Sequence, residues 1–138
     1  MFAPFFFLYA LIRLFLMGRI FYTVFRIHKR RNHMNFTSFL ENGRLTVALT
    51  GEIDHHCAKK YILAITAKIE AYTPDLCILD FRDVTFMDSS GIAVVINALR
   101  NMNQIEGKLI LTDIATQPMR VFRASGIDKL VEIKEAVS

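Results

Sequence analysis

The pattern of apolar residues along this chain predicts an α/β fold: a small, mostly parallel sheet with an antiparallel hairpin at its N-terminal edge and about four helices. Three observations carry that expectation. Apolar runs with strand character recur at residues 45–49, 76–81 and 108–112, and each is followed by a stretch whose apolar residues repeat at helical spacing. Ahead of them, Asn42-Gly43 separates two short strand-like runs, as a two-residue hairpin turn does. Strands alternating with helices imply right-handed crossovers and parallel pairing.

Each element has its own signal. Residues 36–40 read as a short strand, and Leu45, Val47 and Leu49 alternate as the apolar face of a second that Gly51 ends. Residues 55–72 place Ala58, Ile62, Ile65 and Ile69 on one helical face, with Asp54 as N-cap and Pro74 closing the helix. The run 76–81 is continuously apolar up to Asp80, as suits a strand buried on both faces. After Ser89, a helix is expected to carry Ile92, Val95, Ile96, Leu99 and Met102 inward. Gly107 precedes a strand over Lys108–Thr112, a third helix opens near Gln117-Pro118, and Ser125-Gly126 ends it. Residues 127–133 give a last short strand or turn, and the tail after Lys134 is expected to be helical or frayed.

The chain has 138 residues, enough for one domain with a substantial core. Its formal charge of +4 is unevenly spread. Residues 1–33 hold Arg13, Arg19, Arg26, Lys29, Arg30 and Arg31 and no acidic residue, which leaves 11 basic against 13 acidic residues from Met34 onward. A mildly acidic body without a basic stripe argues against nucleic acid as a partner. Cys57 and Cys77 have no C-x-x-C neighbours, which fits two free thiols in a reducing compartment, with a single disulfide as the alternative.

Residues 1–33 form an apolar and basic leader that admits two readings. Residues 2–25 are apolar enough for a membrane anchor, with the basic residues that follow holding the domain at the inner face of the cell membrane. Arg13 opposes it, since a charge at mid-membrane costs about 2.5–3.5 kcal/mol on insertion scales. The preferred reading is a start assigned too early, with the anchor as the alternative. Seven of the twelve phenylalanines lie here, as T-rich non-coding DNA would give, and Arg30-Arg31 can be written AGG-AGG, a ribosome-binding sequence two codons before Met34. Met34 is then expected to be the true start of a domain spanning 34–138.

Met87-Asp88-Ser89-Ser90-Gly91 falls where strand gives way to helix. The unpaired N–H groups and positive dipole end there favour an oxygen anion, so a phosphate on one of these hydroxyls is expected to need no dedicated basic pocket. Taken alone, the element reads as a helix cap. Gly51-Glu52-Ile53-Asp54 also leads from strand to helix, and such loops gather at the carboxyl ends of parallel strands. Asp54, Asp88 and Ser89 are therefore expected on one surface. His55-His56-Cys57 could ligate a metal by residue type, but consecutive helical residues point about 100° apart and no second cluster completes the set. A G-x-S-x-G elbow, S-x-x-K spacing and a P-loop are all absent, which argues against an enzyme.

The combination of Gly51-Glu52-Ile53-Asp54-His55-His56, Ile78-Leu79-Asp80-Phe81, Phe86-Met87-Asp88-Ser89-Ser90-Gly91-Ile92 and Phe122 with Ser125-Gly126-Ile127 resembles the STAS domains of bacterial anti-sigma factor antagonists. The paired histidines look most like the sporulation type, the antagonists of the anti-sigma F factor. The resemblance implies a cytoplasmic binding module with no cofactor and no metal. Its unphosphorylated form binds an anti-sigma factor that is also a serine kinase, freeing the sigma factor, which it meets only indirectly. The kinase then phosphorylates the antagonist and a serine phosphatase reverses it. By motif position the phosphorylated residue is Ser89, with Ser90 the rival, and the partner-binding residues are Asp54, His55, Asp88, Ser89, Ser90, Gly91 and Ile92. The alternative function is a membrane-associated STAS module accessory to a transporter, anchored through residues 2–25.

Overall fold

In the computed structural model, which describes residues 36–135, the Asn42-Gly43 dipeptide turns the chain with both residues at positive φ (52° and 74°). That is the geometry a two-residue hairpin between twisted strands requires. It pairs β1 (Phe36–Glu41) antiparallel with β2 (Arg44–Ile53). There follow α1 (His55–Tyr72), β3 (Leu76–Met87), α2 (Ser90–Gln104), β4 (Lys108–Thr112), α3 (Thr116–Ser125), a 3-10 turn over Ile127–Lys129, and β5 (Glu132–Lys134). The five strands lie in chain order, and every pair after the first is parallel. Among the described residues there are three α-helices; the expected helical tail lies beyond Glu135, outside them.

Register explains the core. Leu45, Cys77 and Leu109 stand side by side, as do Val47, Leu79 and Leu111, and all six are buried. These rows face the helices. Phe81 meets Phe122 of α3 edge to face at 5.3 Å, and Tyr61 of α1 meets Phe36, which pairs with Leu49, at 6.0 Å. Sequential strand order with right-handed crossovers keeps the helices on that side. Burial raises the Cys77 thiol to about 12, and both cysteines are free.

Three expectations need correction. Gly51 does not end β2: the strand bulges around it, and its φ of 88° is one that glycine adopts without strain, so pairing resumes at Glu52↔Phe86 and Ile53↔Met87. As a result β3 runs to Met87 rather than stopping at Phe81, while β4 accompanies it only to Asp80. The inner faces of the helices hold the expected Ala58, Ile65, Ile69, Val95 and Met102 but differ at other positions. α1 buries Tyr61 rather than Ile62, and α2 buries Gly91, Val94, Val95, Ala98 and Met102, leaving Ile96 exposed and Ile92 and Leu99 half-exposed. α1 also buries Lys68, whose ammonium lies 5.9 Å from the centre of the Phe36 ring and is pushed down to about 8 by burial. The two readings of residues 1–33 lie outside the described residues. Among the latter, no helix is long and apolar enough to cross a membrane.

Candidate functional site

Because β2 and β3 outrun the rest of the sheet in matched register, the loops leaving them emerge side by side. Ile53 pairs with Met87, and the Asp88 amide donates to the Ile53 carbonyl at 3.2 Å. Asp54 and Asp88 are thus neighbours at the carboxyl end of the sheet, each opening a helix. Asp54 caps α1: its Oδ1 accepts from the His56 and Cys57 amides at 2.9 and 3.0 Å. Cys57 completes a capping box. Its Sγ accepts from the Asp54 amide at 3.3 Å and donates to the Glu52 carbonyl at 3.2 Å. The Cys57 amide above all, then the Cys57 thiol, hold the Asp54 carboxyl below its usual range.

Asp88, rather than either serine, organises the start of α2. Its Oδ1 accepts from the Ser90 amide at 2.7 Å and its carbonyl accepts from the Gly91 amide at 3.1 Å. The Ser90 amide, then the Ser90 hydroxyl and more weakly the His55 amide keep the Asp88 carboxyl ionised below the usual range, while burial and the charge of Asp54 oppose them. Ser89 has a helical backbone (φ −61°, ψ −18°) and makes no capping hydrogen bond through its side chain, which is exposed. Its carbonyl accepts from the Ile92 amide at 3.2 Å. The amides of Ser90, Gly91 and Ile92 are therefore all engaged within the turn. The expectation that open N–H groups would receive an anion there is not met.

The remaining residues fall into place around this turn. Gly91 is buried, and a Cβ on it would lie 2.2 Å from Cγ and Sδ of the fully buried Met87, so packing inside the domain accounts for this glycine. Ile92 is half-exposed, whereas His55 and His56 are exposed with ring centres 4.9 Å apart. Among the described residues no group of three or more His, Cys, Asp or Glu is placed to hold a metal.

The roles of five residues around the turn escaped the sequence. Gln117 of α3 reaches back to β3: its Nε2 donates to the Met87 carbonyl and its Oε1 accepts from the Met87 amide, both at 2.8 Å. It thereby stands in for the strand that β4 no longer supplies. Gln117, Arg120, Val121 and Ala124 share one face of α3, and with Ser89, Ile92 and Ser125 they line an open groove between α3 and the start of α2. Phe86, immediately before the turn, is 43% exposed. What this face of α3 meets is set by the packing of the helix against β3 and α2, which no local pattern encodes.

The STAS domain family matches residues 38–138, most of the chain and all of this site. The chain belongs to the STAS domain family. A relative from Paenibacillus polymyxa, named an anti-sigma F factor antagonist, is 29% identical over 102 residues, covering 72% of this chain and 87% of its own. An anti-sigma-B factor antagonist of Listeria monocytogenes is 27% identical over 97 residues, covering 68% and 82%. Among solved structures, the anti-sigma factor antagonist SpoIIAA in its unphosphorylated form is 26% identical, with a TM-score of 0.66 over 75% of this chain and 89% of its own. The phosphorylated form, from Bacillus, gives 0.61 at the same identity over 75% and 92%. The STAS fold expected from the sequence is the fold observed.

Proposed function

We propose that this STAS domain is an anti-sigma factor antagonist whose binding is switched by phosphorylation of Ser89. In this reading the unphosphorylated domain binds an anti-sigma factor serine kinase in the cytoplasm through the surface formed by Asp54, His55, Asp88, Ser89, Ser90 and Ile92, with the buried Gly91 holding the turn from beneath rather than touching the partner. That binding releases the sigma factor. The kinase then ends the association by phosphorylating Ser89, and a serine phosphatase restores it. The domain is a binding module and contributes no catalysis.

The observation that carries the reading is the division of labour in the turn. Asp88 performs the capping, so the Ser89 hydroxyl is exposed and uncommitted, while the half-buried Ser90 sits against the Asp88 carboxylate. This favours Ser89 over Ser90 as the acceptor. The relatives named antagonists of anti-sigma F and anti-sigma-B factors, and the existence of SpoIIAA in phosphorylated and unphosphorylated forms, support the same class of function.

The physics of the switch is electrostatic. Phosphorylation adds a charge of about −1.5 to −2 to a hydroxyl that already has Asp88 beside it and Asp54 on the adjoining loop. In a closed interface an uncompensated charge costs about 3–5 kcal/mol, or roughly two to nearly four decades of affinity. No refolding is needed.

Incubation with the cognate anti-sigma kinase and ATP, followed by mass-spectrometric mapping, tests the acceptor. The expected result is phosphate on Ser89, abolished by Ser89→Ala and retained in Ser90→Ala. Phosphate on Ser90, or none on the domain, overturns the assignment.

A further inference from the structure

A phosphate on Ser89 needs a countercharge, and the turn itself has little to offer. The first amides of α2 are taken: Ser90 by the Asp88 carboxylate, Gly91 by the Asp88 carbonyl, Ile92 by the Ser89 carbonyl. The neighbouring carboxylates Asp88 and Asp54 repel a second anion, and the His55 amide already lies toward Asp88. The groove bordered by Ser89 differs. Of the residues lining it, Ile92, Val121 and Ala124 are apolar, Gln117 is committed to the Met87 backbone, and Arg120 alone carries a charge. Arg120 lies one turn beyond Gln117 on the same face, about 4.5 Å further along the helix. Gln117 is pinned to Met87, two residues before Ser89, and Arg120 and Ser89 line the same groove.

We propose that Arg120 is the internal receptor for the Ser89 phosphate: the phosphoseryl group folds into the groove between α2 and α3 and pairs with the Arg120 guanidinium. This rests on Ser89 being the phosphate acceptor. The planar guanidinium can give two parallel N–H donors to phosphate oxygens, a geometry that a lysine cannot reproduce. Two consequences follow. The phosphorylated domain is a defined state with α3 cross-linked electrostatically to the start of α2, rather than a domain carrying a loose charge. The pair also covers Ile92 and Val121, so phosphorylation withdraws apolar surface from a partner as well as adding charge.

The test is a phosphorus NMR titration of the full chain with phosphoserine genetically encoded at position 89. With Arg120 in place, the second phosphate ionisation is expected below the value of about 6 usual for phosphoserine. Arg120→Gln is expected to raise it by about one unit, and Arg120→Lys to restore part of the shift. Arg123→Gln, on the same helix but outside the groove, is expected to leave it unchanged. An ionisation identical in the wild-type and Arg120→Gln proteins, or moved as far by Arg123→Gln as by Arg120→Gln, overturns the pairing. The titration uses no kinase. A phosphorylated domain that still bound the kinase tightly would sink the switch proposed above without altering this result.

Discussion

The two ends of the sheet are built by different means. At the end where the parallel strands begin, main chain is bonded to main chain: the Asp75 amide donates to the Gly43 carbonyl at 2.8 Å, Lys108 to Asp75 at 2.9 Å, and Gly107 to Met102 at 2.8 Å. At the carboxyl end, where β2 and β3 outrun their neighbours, side chains hold the loops. Asp54 caps α1, Asp88 sets the turn into α2, and Gln117 secures Met87. Backbone pairing tolerates almost any side chain, so the first end can serve as architecture alone. The second depends on the identity of a few residues, and there Ser89, His55, His56 and Phe86 face outward.

A pair of glycine substitutions probes this contrast with the largest effect. Gly91→Ala drives a Cβ into Met87, which has no space to yield, and is expected to cost about 1–3 kcal/mol in chemical denaturation while displacing the Ser89 turn and weakening kinase binding. At the opposite end, a Cβ on Gly107 meets the terminal methyl of the fully buried Met102 at 2.4 Å and the Pro74 and Asp75 carbonyls at 3.0 and 3.2 Å. Gly107→Ala is therefore expected to cost a comparable amount, about 1–3 kcal/mol, but to leave kinase binding intact. Equal loss of binding in both would erase the distinction between the ends.

Gln117→Ala sharpens it further. Removing two hydrogen bonds to the Met87 backbone is expected to cost about 1–2 kcal/mol. Amide exchange at residues 87–91 should quicken, with exchange at 75–77 and 107–109 following only the global loss. Uniform quickening would show that Gln117 serves the whole fold rather than this end.

The smallest effect is a pH dependence. Asp54 and Asp88 have carboxyl groups depressed in the folded state, so the stability they supply is present above their unfolded value, near 4, and is lost as pH falls through the lower folded values. The difference in Tm between the wild-type protein and an Asp54→Asn/Asp88→Asn variant should thus be constant above about pH 5 and shrink in acid. Glu132, also depressed, first by Lys108 and then by Lys134, is common to both proteins and drops out. A difference that grew in acid would reverse the sign assigned to these carboxylates.

Which parts of this were legible in the sequence follows from how local the signals are. The Asn42-Gly43 turn, the Asp54 cap, the bounds of α1 and β4, and the Ser125-Gly126 stop each depend on a few adjacent residues, and each was read correctly. The end of β3 was not, because bulges break the two-residue period: Val84 and Met87 are both buried although three positions apart. The inner face of α2 was misjudged because Ile92, Val94, Val95 and Ile96 make it apolar almost all round, so periodicity cannot orient it. At the site, the convergence of Asp54 with Asp88 followed from parallel topology. The engaged amides of α2 and the Gln117 contact, which spans 30 positions, depend on tertiary placement that no local pattern encodes.

The central claim is that charge at Ser89 decides whether the partner binds. Its most direct test is the equilibrium affinity of Ser89→Ala and Ser89→Asp for the anti-sigma factor kinase, measured by calorimetry at fixed salt. Tight binding by Ser89→Ala, with Ser89→Asp weaker by roughly two to nearly four decades, is the predicted result. Equal affinity of the two variants would contradict it.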